Sequence, residues 1–92
     1  MEIYGQKVEK ANISYYSASA DSIDISDITI DDTIKTTRDL LKKFGVEDSE
    51  FLWLDENADL EDVLHQSKDY YQVIFFNSNG GVISQKIYAK RF

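Results

Sequence analysis

Ninety-two residues make a single small domain, 1–92, with no room for a second core. With 42% apolar residues and 13% aromatics the chain is too hydrophobic to be disordered, and 17 acids against 10 bases give a net charge of −7, which argues against direct contact with nucleic acid or an anionic membrane. Cysteine is absent and His65 is the one histidine, so disulfides, thiolate chemistry, cysteine-based zinc sites and a paired-imidazole metal site are excluded.

Residues 1–20 lack the continuous apolar core of a secretion signal, and no apolar run is long enough to span a bilayer, so the expected location is cytoplasmic. Ile3, Tyr4 and Val8, then Ile13, Tyr15 and Tyr16, mark one or two strands over 3–16, with Gly5-Gln6 as a turn. Over 22–30, Ile23 and Ile25 alternate with Asp24, the period of a half-buried strand, whereas Ile28 and Ile30 alternate in the opposite phase. The slip at Ser26-Asp27 predicts a β-bulge or a tight corner, because a regular strand would send one isoleucine pair to the wrong face.

A helix is predicted over 33–44. Asp32 is its N-cap, and Asp31 places negative charge beside the positive end of the dipole. Ile34, Thr37, Leu40, Leu41 and Phe44 form one apolar stripe, Lys42 and Lys43 sit in the last turn, and Gly45 with Val46 closes the end. The run Phe51, Leu52, Trp53, Leu54 reads as a short strand, after which Asn57 or Asp59 caps a short helix through Leu60, Val63 and Leu64. Residues 70–76 are apolar on both faces, the mark of an interior strand; Asn77, Ser78, Asn79, Gly80 and Gly81 form a turn, and 82–89 return as the last strand. The order is β-β-α-β-(short α)-β-β, an α+β domain with one main helix packed on a mixed or antiparallel β-sheet.

Between 32 and 76 this series of landmarks resembles the ubiquitin-like β-grasp fold. Thr33-Ile34 stands where the family's helix opens and Gly45-Val46 where it closes; 52–54 stand for the next strand, 60–64 for the short helix, and Tyr71, Val73 and Phe75 for the central strand. The resemblance implies an adaptor or a modifier. Ubiquitin-like modifiers carry a diglycine that is joined to a partner, which would make 82–92 a removable tail after Gly80-Gly81. Read as residues alone, the same pair supplies the positive φ angles of a hairpin turn.

No catalytic constellation emerges. Asp55, Asn57 and Asp59 match the first ligand positions of a calcium loop, but the glycine and the bidentate glutamate such a loop needs are replaced by Leu60 and Gln66. His65 sits near the end of the short helix, where an imidazole suits the helix C-terminus. No phosphate loop, nucleophile elbow or dinucleotide fingerprint is present. The expectation is a protein that is not an enzyme and uses no cofactor or metal. Aromatics are plentiful: Tyr15, Tyr16, Phe51, Trp53, Tyr70, Tyr71, Phe75, Phe76, Tyr88 and Phe92 exceed what one small core holds, and since adjacent strand residues face opposite ways, one member of each tyrosine pair is either an exposed interface anchor or a ring that spans core and solvent with its hydroxyl in water.

Charge is uneven. Residues 21–62 hold 14 acids and four bases, a net of −10, while the other 50 residues hold three acids and six bases, a net of +3. One strand of carboxylates is too sparse to imitate DNA, since same-face positions recur about every 6.6 Å against about 3.4 Å between phosphates. Several elements would have to combine. The expected function is a small acidic binding module that docks a negative face on a basic, nucleic-acid-handling protein, as inhibitors carried by phage and other mobile elements do. The expected contact residues are Asp24, Asp27, Asp31, Asp32, Glu47, Asp48, Glu50, Asp55 and Glu56, with Trp53 or a tyrosine as apolar anchor. The alternatives are the ubiquitin-like adaptor or modifier and an assembly subunit that buries its aromatics in an oligomer.

Overall fold

A computed structural model describes residues 1–91, and Phe92, named among the aromatics above, lies outside them. The described residues fold as an α+β domain with one five-stranded antiparallel sheet and three helices. A miniature hairpin, β1 (Glu2–Ile3) and β2 (Gln6–Lys7), opens it and turns through Tyr4 and Gly5, both at positive φ. The main sheet has the order β4-β3-β6-β7-β5, formed by β3 (Lys10–Ser17), β4 (Ser22–Thr29), β5 (Leu54–Asp55), β6 (Tyr70–Phe76) and β7 (Val82–Lys90). Every pairing is antiparallel.

The core occupies one face of this sheet. Ala11 and Ile13 of β3, Tyr71, Val73 and Phe75 of β6, and Tyr88 of β7 pack with Ile34, Leu40, Leu41 and Val46. Within the helix, Leu40 and Leu41 are the buried members of the predicted stripe, and Phe44 packs against the cluster. The alternation of β6 is half-buried against buried rather than exposed against buried, as expected for a strand paired on both sides. Val63 and Ala89 are buried apart from this cluster and line a recess between α3 (Leu60–His65) and the end of β7.

The main helix, α1 (Thr37–Phe44), starts four residues later than the sequence predicts, and its N-cap is Thr36 rather than Asp32. The cause is local competition. Asp31 accepts hydrogen bonds from the Thr33 N–H and hydroxyl, and Ile34 N–H donates to the Asp31 carbonyl, so 31–34 close into a turn of their own. Asp39 then completes a capping box with Thr36 and also accepts from the Lys35 N–H. Ile34 keeps its place in the core from outside the helix. At the other end Gly45, at φ 112°, takes the left-handed cap position as expected, with Val46 buried behind it.

Three further expectations are corrected. No bulge interrupts β4, which pairs residue for residue with β3 from Ser22 to Thr29; the phase slip is resolved by leaving Ile23 and Ile25 exposed on the face away from the core. Among the described residues the sheet's irregularity falls where Phe75 pairs Ser84 but Phe76 pairs Val82, leaving Ile83 as the extra residue that packs against the core. The strand predicted over 51–54 is only Leu54–Asp55, because Phe51 ends a helical turn, α2 (Asp48–Phe51). Asp59 is the cap of α3, accepting from Glu61 N–H at 2.8 Å. Asn77 organises the β6–β7 turn by accepting from Asn79 and Gly81, and Gly80 takes φ 78° there. Among the described residues no helix is long and apolar enough to cross a membrane.

Candidate protein interface

The order of the strands decides how the acidic stretch is distributed. β4 and β5 are the two outer strands, four spacings apart, or roughly 19 Å at the usual strand separation. Asp24 and Asp27 lie on β4, with Asp31 and Asp32 just beyond its end. Glu47, Asp48, Glu50, Trp53, Asp55 and Glu56 lie in and around α2 and β5, which is the opposite edge. Asp24 and Asp27 therefore stand at one edge of the sheet and Asp55 at the other, while Asp31 and Asp48 are both tied to the main helix, through Lys43 and Lys42.

The group at β5 is largely engaged. Asp48 binds Lys42 at 2.7 Å and Arg38 at 3.2 Å, which hold its carboxyl below the ordinary range. Asp55 binds Arg91 at 2.6 Å, which lowers its pKa likewise. Glu50 belongs to a network that ties four segments together. Tyr71 donates to Glu50 Oε2 at 2.7 Å, Lys90 Nζ lies 3.2 Å from the same oxygen, Lys90 also donates to the Tyr15 hydroxyl at 3.3 Å, and that hydroxyl donates to Asp69 at 3.0 Å. The Ala18 N–H completes the Asp69 carboxylate at 2.8 Å. Partial burial alone would raise the Glu50 pKa, but the Tyr71 hydroxyl and the Lys90 ammonium outweigh it and the net shift is downward. Burial, then the Glu50 charge, pushes the Tyr71 phenol far above its usual value. Tyr15 and Tyr71 stack at 4.7 Å with Lys90 beside them, so this is a cross-brace between strands and α2. Sequence gave no sign of it, since its members are separated by up to 75 residues.

Near β4 the carboxylates are freer. Asp31 is engaged: the Thr33 hydroxyl and N–H, followed by Lys43 at 3.2 Å, bring its pKa down to about 2. Asp27 accepts from Asn12 at 2.9 Å and lies 3.9 Å from Lys10. Asp21, Asp24 and Asp32 have no cation within 4.0 Å among the described residues, and neither do Glu47 and Glu56 at the other edge.

Two apolar groups accompany these acids. At the α2–β5 corner, Leu52 is 83% and Trp53 52% exposed. On β4, Ile23 is 58% and Ile25 66% exposed. The register sets Ile23 beside Tyr16, and Tyr16 beside Tyr70 with ring centres 5.3 Å apart, so Ile23 extends an aromatic row over the sheet face opposite the core, while Ile25 stands beside Ser14 on the same face. Of the expected tyrosine anchors, Tyr71 is buried and Tyr15, Tyr16 and Tyr70 are half-buried. Sequence reasoning named the β4 acids but took its isoleucines for core; the phase slip was the sign that one pair faces out.

Compared with protein families, with curated proteins and with solved structures, the chain matches none.

Proposed function

We propose that the chain is a small acidic, non-enzymatic protein-binding module that docks on a basic surface of another protein. The observation that carries this reading is the β4 edge: Ile23 and Ile25 stand in solvent on a strand that also bears Asp24 and Asp27, with Asp21 in the preceding turn. Exposed aliphatics beside Asp21 and Asp24, which have no cation within 4.0 Å among the described residues, suit a partner that offers apolar contact and positive charge together, and a net charge of −7 speeds the encounter. An inhibitor that occupies a nucleic-acid-handling protein, of the kind phage and other mobile elements carry, is the form that size and charge favour. The test is capture from the native host at low and high salt, using the wild-type chain and the triple variant Asp21→Lys, Asp24→Lys, Asp27→Lys. A basic protein retained by the wild-type chain alone, and released by salt, is the expected result; identical capture by both chains overturns the reading.

A ubiquitin-like adaptor is the second reading. It is supported by the series of a helix closed at Gly45, a short helix capped by Asp59 and the strand 70–76. The modifier form would require removal of β7, which lies between β6 and β5, so the adaptor form is the one favoured. In the adaptor the sheet face binds and the acids do not, so the triple lysine variant would retain its partner.

A further inference from the structure

We propose that β4 receives an extended basic segment of the partner as a sixth strand of the sheet; this rests on the protein-binding reading above and gives it a geometry. β4 is the terminal strand, and no residue among those described pairs with its outer side. The direction of its backbone groups follows from the ladder. Ile30 N–H donates to the Glu9 carbonyl, next to the Lys10–Thr29 pair, so the even-numbered residues of β4 turn their N–H and C=O toward β3. Ile23, Ile25, Asp27 and Thr29 therefore point theirs outward, offering four donors and four acceptors to an incoming chain. Edge strands of natural sheets are commonly blunted by proline, lysine, bulges or shortness. β4 has none of these over its eight residues; the guard it does carry is charge, Asp24 and Asp27, which opposes an acidic strand and admits a basic one.

The side chains specify the occupant. Ile23, Ile25 and Asp27 lie on the open face, while Asp24 and Ser26 lie on the core face. A strand laid antiparallel would set aliphatic residues beside Ile23 and Ile25 and cations opposite Asp24 and Asp27. Read along the partner, that is the pattern cation, any residue, aliphatic, cation, aliphatic. A second copy of this chain fits less well. Joining two β4 edges brings Asp21, Asp24 and Asp27 of both copies to one seam, where Lys10, 3.9 Å from Asp27, is the cation that pairs with a β4 acid among the described residues. Cross-strand pairs of opposite charge stabilise a ladder and like charges oppose it, so charge complementarity selects a basic partner.

The test uses a synthetic peptide containing Lys-Thr-Ile-Lys-Ile, a scrambled peptide of the same composition, and the full chain. The patterned peptide is expected to bind and to slow hydrogen exchange at the amides of Ile23, Ile25, Asp27 and Thr29. Methylating the peptide nitrogens that face β4 should weaken binding about tenfold, and methylating the alternate nitrogens should not. Equal binding of the scrambled peptide without protection of these amides overturns strand addition. It leaves the acidic-docking reading standing, which falls separately if the triple lysine variant captures the same host proteins. Protection of the β4 amides in the chain alone, with sedimentation as a dimer, also overturns the proposal, because the edge is then filled by a second copy.

Discussion

The two edges of the sheet are finished in opposite ways. β5 is two residues long, and the segment around it is pinned by Arg91 to Asp55, by the Arg91 N–H to the Trp53 carbonyl, and by Glu50 to Tyr71 and Lys90. β4 is eight residues long, regular and bare. Both edges are acidic, yet the carboxylates at β5 mostly hold the chain together while those at β4 mostly meet water. Residue type alone does not say whether an acid serves the fold or a partner; its neighbours across the sheet do.

The harshest way to break the comparison removes what both edges share. Phe75→Ala deletes the largest fully buried side chain and should cost about 3–5 kcal/mol, seen as loss of the cooperative transition or a large drop in the urea midpoint. A midpoint within error of wild type would mean that the core is not where the strands place it. Next comes the brace. Glu50→Ala leaves the Tyr71 hydroxyl without its acceptor and Lys90 without its counter-ion, and should destabilise by about 1–3 kcal/mol. Asp24→Ala should leave the midpoint where it is and act only on binding; equal losses from the two variants would erase the contrast between the edges.

Gly45→Ala is smaller again, about 1 kcal/mol, because an alanine at φ 112° is strained even though no atom crowds the position. The last effect is one of pH. Glu50 and Asp31 hold their protons less tightly folded than unfolded, so the stability they add is complete above their ordinary values of 4.5 and 3.8. It drains away as pH falls, for Asp31 through about 2. Glu50→Gln should therefore flatten part of the acid limb of a stability–pH curve; an unchanged limb would show that the brace contributes nothing to it.

The elements that were legible in the sequence are those fixed by local rules. Gly45 after an apolar stripe, a cap just before Leu60 (Asp59, of the two residues that could serve), the Asn77–Gly81 turn and the doubly apolar run 70–76 each hold in the structure because the deciding contacts lie within a few residues. The start of α1 was misplaced although the rule was right. Asp31, Asp32 and Thr36 all offer capping oxygens, and the winner was decided by Asp39, which reaches back to Thr36, and by Asp31, which folds onto Thr33. The strand order was not legible. It depends on which hairpin packs beside which, and it is what parts Asp24 and Asp27 from Glu50 and Asp55. The Glu50–Tyr71–Lys90–Tyr15–Asp69 network was invisible for the same reason, being assembled wholly from long-range pairings.

The chain holds one tryptophan, and Trp53 sits at the β5 corner, across the full width of the sheet from β4. Its indole is thus an optical gauge for one side of the molecule alone. Emission excited where tyrosine does not absorb will follow the Arg91 clasp as it opens, and will stay dark to whatever settles along Ile23 and Ile25. A titration that leaves the tryptophan spectrum flat is, for this protein, no sign that nothing has bound.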